Sequence, residues 1–111
     1  MEIRNRFENS TAVVTVSGRM DALTAPQYQE QLNALIDGGT IAVVVDFDAL
    51  EYISSAGLRG ILATAKALKA KGGEVCFANV RGTVREVFDM SGFGSIFRMH
   101  DSLAAALAGN N

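Results

Sequence analysis

The run Ile41-Ala42-Val43-Val44-Val45 leaves the chain few choices. Four of its five residues are β-branched and none has a polar side to offer water. Residues 41–46 therefore read as a strand covered on both faces, as a central strand of a parallel sheet must be. The stretch that follows is Asp46-Phe47-Asp48-Ala49-Leu50-Glu51-Tyr52-Ile53-Ser54-Ser55-Ala56-Gly57-Leu58. It opens a run in which Leu58, Ile61, Leu62, Ala65 and Leu68 share one stripe, the period of an amphipathic helix. Ser54 and Ser55 thus fall at the start of a helix, beyond the carboxyl end of a central strand. Open α/β sheets bind and react there.

The other elements follow from the same periodicities. Residues 2–8 predict a strand with Ile3 and Phe7 on one face, and Asn9-Ser10 a turn. The β-branched run 11–17 predicts its hairpin partner. Thr24-Ala25-Pro26-Gln27 has the pattern of a capping box, and Tyr28, Leu32, Leu35 and Ile36 give the helix behind it one apolar face. Gly38-Gly39 stops that helix, and Gly72-Gly73 stops the one that follows the serines. A strand is expected at 74–78, then a helix from Thr83-Val84-Arg85-Glu86, a second capping-box pattern, to Gly92. Ser95-Ile96-Phe97-Arg98-Met99 reads as a short last strand. A final helix over 103–108 is capped by Asp101 or Ser102, and residues 109–111 are expected to fray. The order is β-β-α-β-α-β-α-β-α. This is an α/β chain with a mixed, mostly parallel sheet of about five strands and packed helices. Its 111 residues form one domain, 1–111, with no repeat and no linker.

Several function classes are disfavoured. Net charge is −2 and no basic stripe is present, so nucleic acid is not an expected direct partner. The segment Met1-Glu2-Ile3-Arg4-Asn5-Arg6 has no apolar signal region and no run approaches membrane-spanning length. A cytoplasmic protein without direct membrane contact is expected. Cys76 is the only cysteine and reads as a small buried apolar residue in a strand. His100 is the only histidine, and a solvent-facing or capping role is expected for it. No nucleophile elbow, metal-ligand cluster, phosphate loop or dinucleotide fingerprint occurs. Neither catalysis, nor a metal, nor a cofactor is expected.

The paired serines remain. One serine suffices to cap a helix, a contribution of about 1 kcal/mol, and here there are two. Ala56 and Gly57 add little bulk beside the hydroxyls, so another protein's active site could approach. A phosphate would add a charge of about −1.5 to −2 at a helix start, where free N–H groups and the helix dipole favour an anion. The consequence would be felt by a partner built to meet a neutral surface.

At this point the sequence resembles a family. Val45-Asp46 followed by Tyr52-Ile53-Ser54-Ser55-Ala56-Gly57-Leu58 is similar to the signature of STAS domains, specifically stand-alone anti-sigma factor antagonists. Gly18-x-x-Asp21-Ala22 with Thr24-Ala25, and the tail Ile96-Phe97 with Asp101-Ser102-Leu103-Ala104-Ala105-Ala106-Leu107, resemble two further stretches of that family. The resemblance implies a STAS fold and a partner-switching regulator that is not an enzyme. In such a switch the unphosphorylated antagonist binds an anti-sigma factor that is also a serine kinase with a histidine-kinase-type ATPase fold. Phosphorylation releases it, and a metal-dependent serine phosphatase restores it. Carried onto this chain, Ser55 is the phosphoacceptor, with Ser54 as its rival. Asp21 lies beside it, Gly57 keeps the helix start open, and Asp21, Ser54, Ser55, Ala56, Gly57 and Leu58 form the partner surface.

The match has departures. Family members often carry Asp before the acceptor serine and Ser or Thr after it, where this chain has Ser54 and Ala56. Asp21 also reads as a residue capping its own turn, and Asp46 as a strand-end carboxylate bonding nearby backbone. Two other functions fit a STAS-like chain: a constitutive accessory subunit docking on the ATPase of an ABC-type lipid transport system, and a ligand-sensing module.

Overall fold

Val43, Val44 and Val45 are almost fully buried at the centre of a six-stranded sheet, on the strand β3 (Ala42–Asp46). In this computed structural model, which describes residues 1–109, β3 is flanked on both sides by parallel neighbours. One is β2 (Thr11–Met20), with Val13 opposite Val44; the other is β5 (Glu74–Ala78), with Cys76 opposite Val44. The hairpin strand β1 (Glu2–Glu8) runs antiparallel to β2, and β6 (Arg98–His100) runs parallel to β5. Ile3 is half-buried against the core while Phe7, near the far end of the edge strand, stays exposed.

The sixth strand was not expected. Strand β4 (Leu50–Ile53) lies between β3 and the serines and pairs in parallel with the far half of β2, with Met20 opposite Ile53. Strand β2 is long enough to pair with β3 along its first half and with β4 along its second, with a register shift between Gly18 and Arg19. Gly18 there has φ +87°, and its N–H donates to the Ala49 carbonyl at 3.0 Å. The four residues of β4 are buried only at Leu50 and Ile53, so no alternation announces them.

Helices α1 (Ala25–Asp37), α2 (Ser55–Ala70) and α3 (Gly82–Met90) share the larger core with the sheet. Tyr28, Leu32 and Ile36 of α1 and Ile61 and Leu68 of α2 bury the expected faces. A single turn, α4 (Phe93–Ile96), stands where the last strand was expected to begin, and that strand starts only at Arg98. The reason is aromatic packing. Phe93 and Phe97 stack edge-on at 5.3 Å, and Phe93 meets Phe88 at 5.4 Å. Gly92, at φ +78°, reverses the chain from α3 into this turn. The smaller core unites Val44, Cys76 and Ala78 with Ala106 of α5 (Leu103–Gly109).

Caps differ from expectation at two helices. At Thr24 no side-chain cap forms; its hydroxyl donates back to the Arg19 carbonyl at 2.9 Å and accepts from the Asp21 N–H at 2.9 Å. Helix α3 starts at Gly82, before Thr83, whose hydroxyl donates to the Glu51 carbonyl at 3.4 Å. In both cases the hydroxyl holds the helix start to a strand. Ser102 does cap α5, accepting from Ala105 N–H at 3.1 Å. Gly109 belongs to α5, and the fraying expected at 110–111 falls outside the described residues.

Candidate functional site

Strands β2 and β4 end together. Beyond the pair Met20 and Ile53, one chain turns into the loop Asp21–Thr24 and the other into Ser54 and helix α2. Register therefore brings Asp21 and the two serines to one end of the sheet.

The two serines are divided by this geometry. Ser54 is the N-cap of α2, with extended backbone at φ −98° and ψ 174°. Its N–H donates to the Met20 carbonyl at 2.9 Å, its carbonyl accepts from Leu58 N–H at 3.0 Å, and its Oγ accepts from Gly57 N–H at 3.4 Å. It is half-buried. Ser55 is the first helical residue and is exposed. With the capping position filled by Ser54, the Ser55 hydroxyl stands at a helix start whose dipole and leading N–H groups favour an anion.

Gly57 serves a purpose other than the one expected. It is buried, and a Cβ there would fall 2.7 Å from Ile53 Cγ1 and 3.1 Å from the Met20 carbonyl oxygen. It lets α2 press onto the ends of β2 and β4, facing inward rather than clearing space beside the hydroxyl. Leu58 is half-buried and packs partly against the core, and Ala56 is half-buried.

Asp21 is a turn residue, as its alternative reading held. Its Oδ1 accepts from the N–H groups of Leu23 at 3.0 Å and Thr24 at 3.2 Å. The Leu23 N–H above all, helped by Thr24 and nearby Arg19, holds this carboxyl below its ordinary pKa against a partial desolvation. Asp46 accepts from Asp48 N–H at 3.0 Å and from the Asn79 side-chain amide at 2.9 Å, tying the ends of β3 and β5.

Two further features of this end were missed in the sequence. Arg19 places its guanidinium 4.1 Å from the centre of the Tyr52 ring, a cation–π pair on adjacent strands. Leu23, at the tip of the Asp21 loop, is 90% exposed. Leu23 carried a weak signal, an apolar residue in a turn outside the stripe of α1. The Arg19–Tyr52 pair carried none, because it requires the unforeseen strand β4.

His100 is neither solvent-facing nor capping. It is half-buried, and its Nε2 is enclosed with no hydrogen-bond partner among the described residues. Among these residues no group of three or more His, Cys, Asp or Glu could hold a metal ion, and no helix is long and apolar enough to cross a membrane.

Comparison with known proteins gives one consistent result. The family model described as the STAS domain matches residues 2–106. BtrV of Bordetella bronchiseptica, named a candidate anti-sigma factor antagonist, is 42% identical over 96 residues, 86% of this chain and 83% of that one. The anti-sigma-F factor antagonist RsfB of Mycobacterium tuberculosis is 32% identical over 103 residues, 91% of this chain and 82% of that one. The Bacillus cell fate determinant SpoIIAA, solved in its phosphorylated form, shares the fold with a TM-score of 0.79 over 99% of this chain and 100% of that one, at 22% identity.

Proposed function

Because the chain belongs to the STAS-domain family and, within it, to the anti-sigma factor antagonists, we propose that it is a partner switch gated by phosphorylation of Ser55. The unmodified form binds an anti-sigma factor that is also a serine kinase with a histidine-kinase-type ATPase fold. That binding frees the sigma factor. The kinase then phosphorylates Ser55, the complex separates, and a metal-dependent serine phosphatase resets the chain. On this reading the chain is ligand and substrate, and the chemistry belongs to its partners.

The observation that carries the reading is the division of the serines. Ser54 is half-buried and hydrogen-bonded as a cap, while Ser55 is exposed at the first helical position. A kinase needs its acceptor hydroxyl accessible, which favours Ser55 over Ser54. A fold that keeps its cap when Ser55 is modified tolerates the phosphate, because the helix start stabilises it. The cost falls on the interface. A partner surface complementary to a neutral hydroxyl must desolvate a dianion, and a 1,000-fold loss of affinity requires only about 4 kcal/mol. The surface offered to the partner comprises the start of α2, the Asp21 loop with Leu23, and the Arg19–Tyr52 pair.

The test is capture of the kinase from the native host by three forms of the chain. The wild type and Ser55→Ala should capture it, Ser55→Glu should not, and only the wild type should be released on addition of ATP. Equal capture by all three, with no release, contradicts the switch.

A further inference from the structure

At the opposite end of α2 from the serines lies an open cleft of about 400 Å³, within the size range of small-molecule sites. Lys66 and Lys69 lie about 17 and 21 Å along the helix axis from Ser55, at 1.5 Å per residue. The cleft runs between the last turns of α2 and the segment joining α4 to β6, with the start of β5 as its third side. Its lining has two chemistries. Leu62, Ala65, Val75 and Phe97 give it an apolar surface, and Ile96, which is 60% exposed, adds to that surface on the α4 side. Lys66, Lys69 and Arg98 line it as well.

The charge is unbalanced. Among the described residues Glu74 is the only acidic one lining the cleft, and it faces Arg98 across 3.8 Å with both side chains largely exposed. Such a pair contributes little. Neither lysine has an ion-pair partner among the described residues. The cleft therefore combines an excess of cations with an apolar surface that none of the described residues covers, on a protein of net charge −2.

From this we infer that the cleft binds a small anionic amphiphile: one carboxylate or sulfonate on an apolar body. The lysines would take the head and the surface around Ala65, Ile96 and Phe97 the body. The site is independent of the serine switch, and its success or failure leaves that reading where it stands.

Two probes test it on the full chain, anilinonaphthalene sulfonate by fluorescence and decanoate by amide chemical shifts. Saturable binding is expected, with shifts centred on Ala65, Gly73, Val75 and Phe97. The double variant Lys66→Glu/Lys69→Glu should weaken both probes by about tenfold or more, and uncharged decanol should bind the wild type about tenfold more weakly than decanoate. Ile96→Asp, on the opposite wall, should weaken binding while Ser55→Ala leaves it unchanged. Absence of saturation up to about 1 mM, shifts centred elsewhere, or equal affinity of the charge-reversed and wild-type chains would overturn the inference.

Discussion

The backbone N–H of Ser54 donates to the carbonyl of Met20 at 2.9 Å. This bond carries the β2–β4 ladder one residue beyond the pair Met20 and Ile53. It fixes the capping serine to the sheet and makes Ser55 the first side chain free of it. The distinction between a capping serine and an exposed one is thus set by strand register.

Removing each hydroxyl should separate the two roles. Ser54→Ala loses the bond to Gly57 N–H and should lower stability by about 0.5–1 kcal/mol, the weaker end of cap losses given the 3.4 Å distance. Ser55→Ala, at an exposed site, should leave the denaturant midpoint within experimental error. Urea unfolding of both variants checks this.

Gly57→Ala should be worse than either. The new methyl meets Ile53 Cγ1 at 2.7 Å and the Met20 carbonyl oxygen at 3.1 Å, so α2 must lift from the strand ends. Overpacking of this kind costs about 1–3 kcal/mol. Thermal unfolding should show a lower Tm, and amide shifts should move at Met20, Ile53 and Ser54.

Tyr28 should make the protein sensitive to alkali. Its buried phenol, desolvated and hydrogen-bonded to Thr64, titrates well above the ordinary value of 10.0. A pKa raised on folding gives stability that is complete below the unfolded value and is lost as pH rises past it. Stability should therefore fall above about pH 10, and Tyr28→Phe should flatten that part of the profile.

Asp21 gives the opposite dependence. Its carboxyl is held below 3.8 by the Leu23 and Thr24 N–H groups, so its contribution is present above that pH and fades as pH falls through the folded value. Asp21→Ala should reduce the acid sensitivity of unfolding and loosen the loop, seen as faster amide exchange at Leu23 and Thr24.

The sheet centre was legible because Val43–Val45 admit one reading, and the helix faces because Tyr28, Leu32, Ile36, Ile61 and Leu68 keep helical period. Strand β4 was not, because a four-residue strand exposed at Glu51 and Tyr52 has no period to detect. The hydroxyls of Thr24 and Thr83 misled for a related reason. A capping box assumes the side chain turns forward onto its own helix, and here strand carbonyls, those of Arg19 just upstream and of the distant Glu51, took the side chains instead. At the site, the sequence marked both serines and Asp21. The inward role of Gly57 depends on Met20, 37 positions away, and became visible only with the strands in place.

Partner binding should depend on residues that stability does not. Leu23→Asp removes an apolar side chain that is 90% exposed and should leave Tm unchanged while weakening capture of the kinase about tenfold or more. Tyr52→Ala should act in the same direction by releasing Arg19.

Phosphorylation of Ser55 is read most directly by intact-mass spectrometry with site mapping on the chain expressed in its native host. A single phosphate is expected, located on Ser55 and absent from the Ser55→Ala variant. A phosphate on Ser54 would contradict the division of the two serines, and no phosphate under any growth condition would contradict the switch itself.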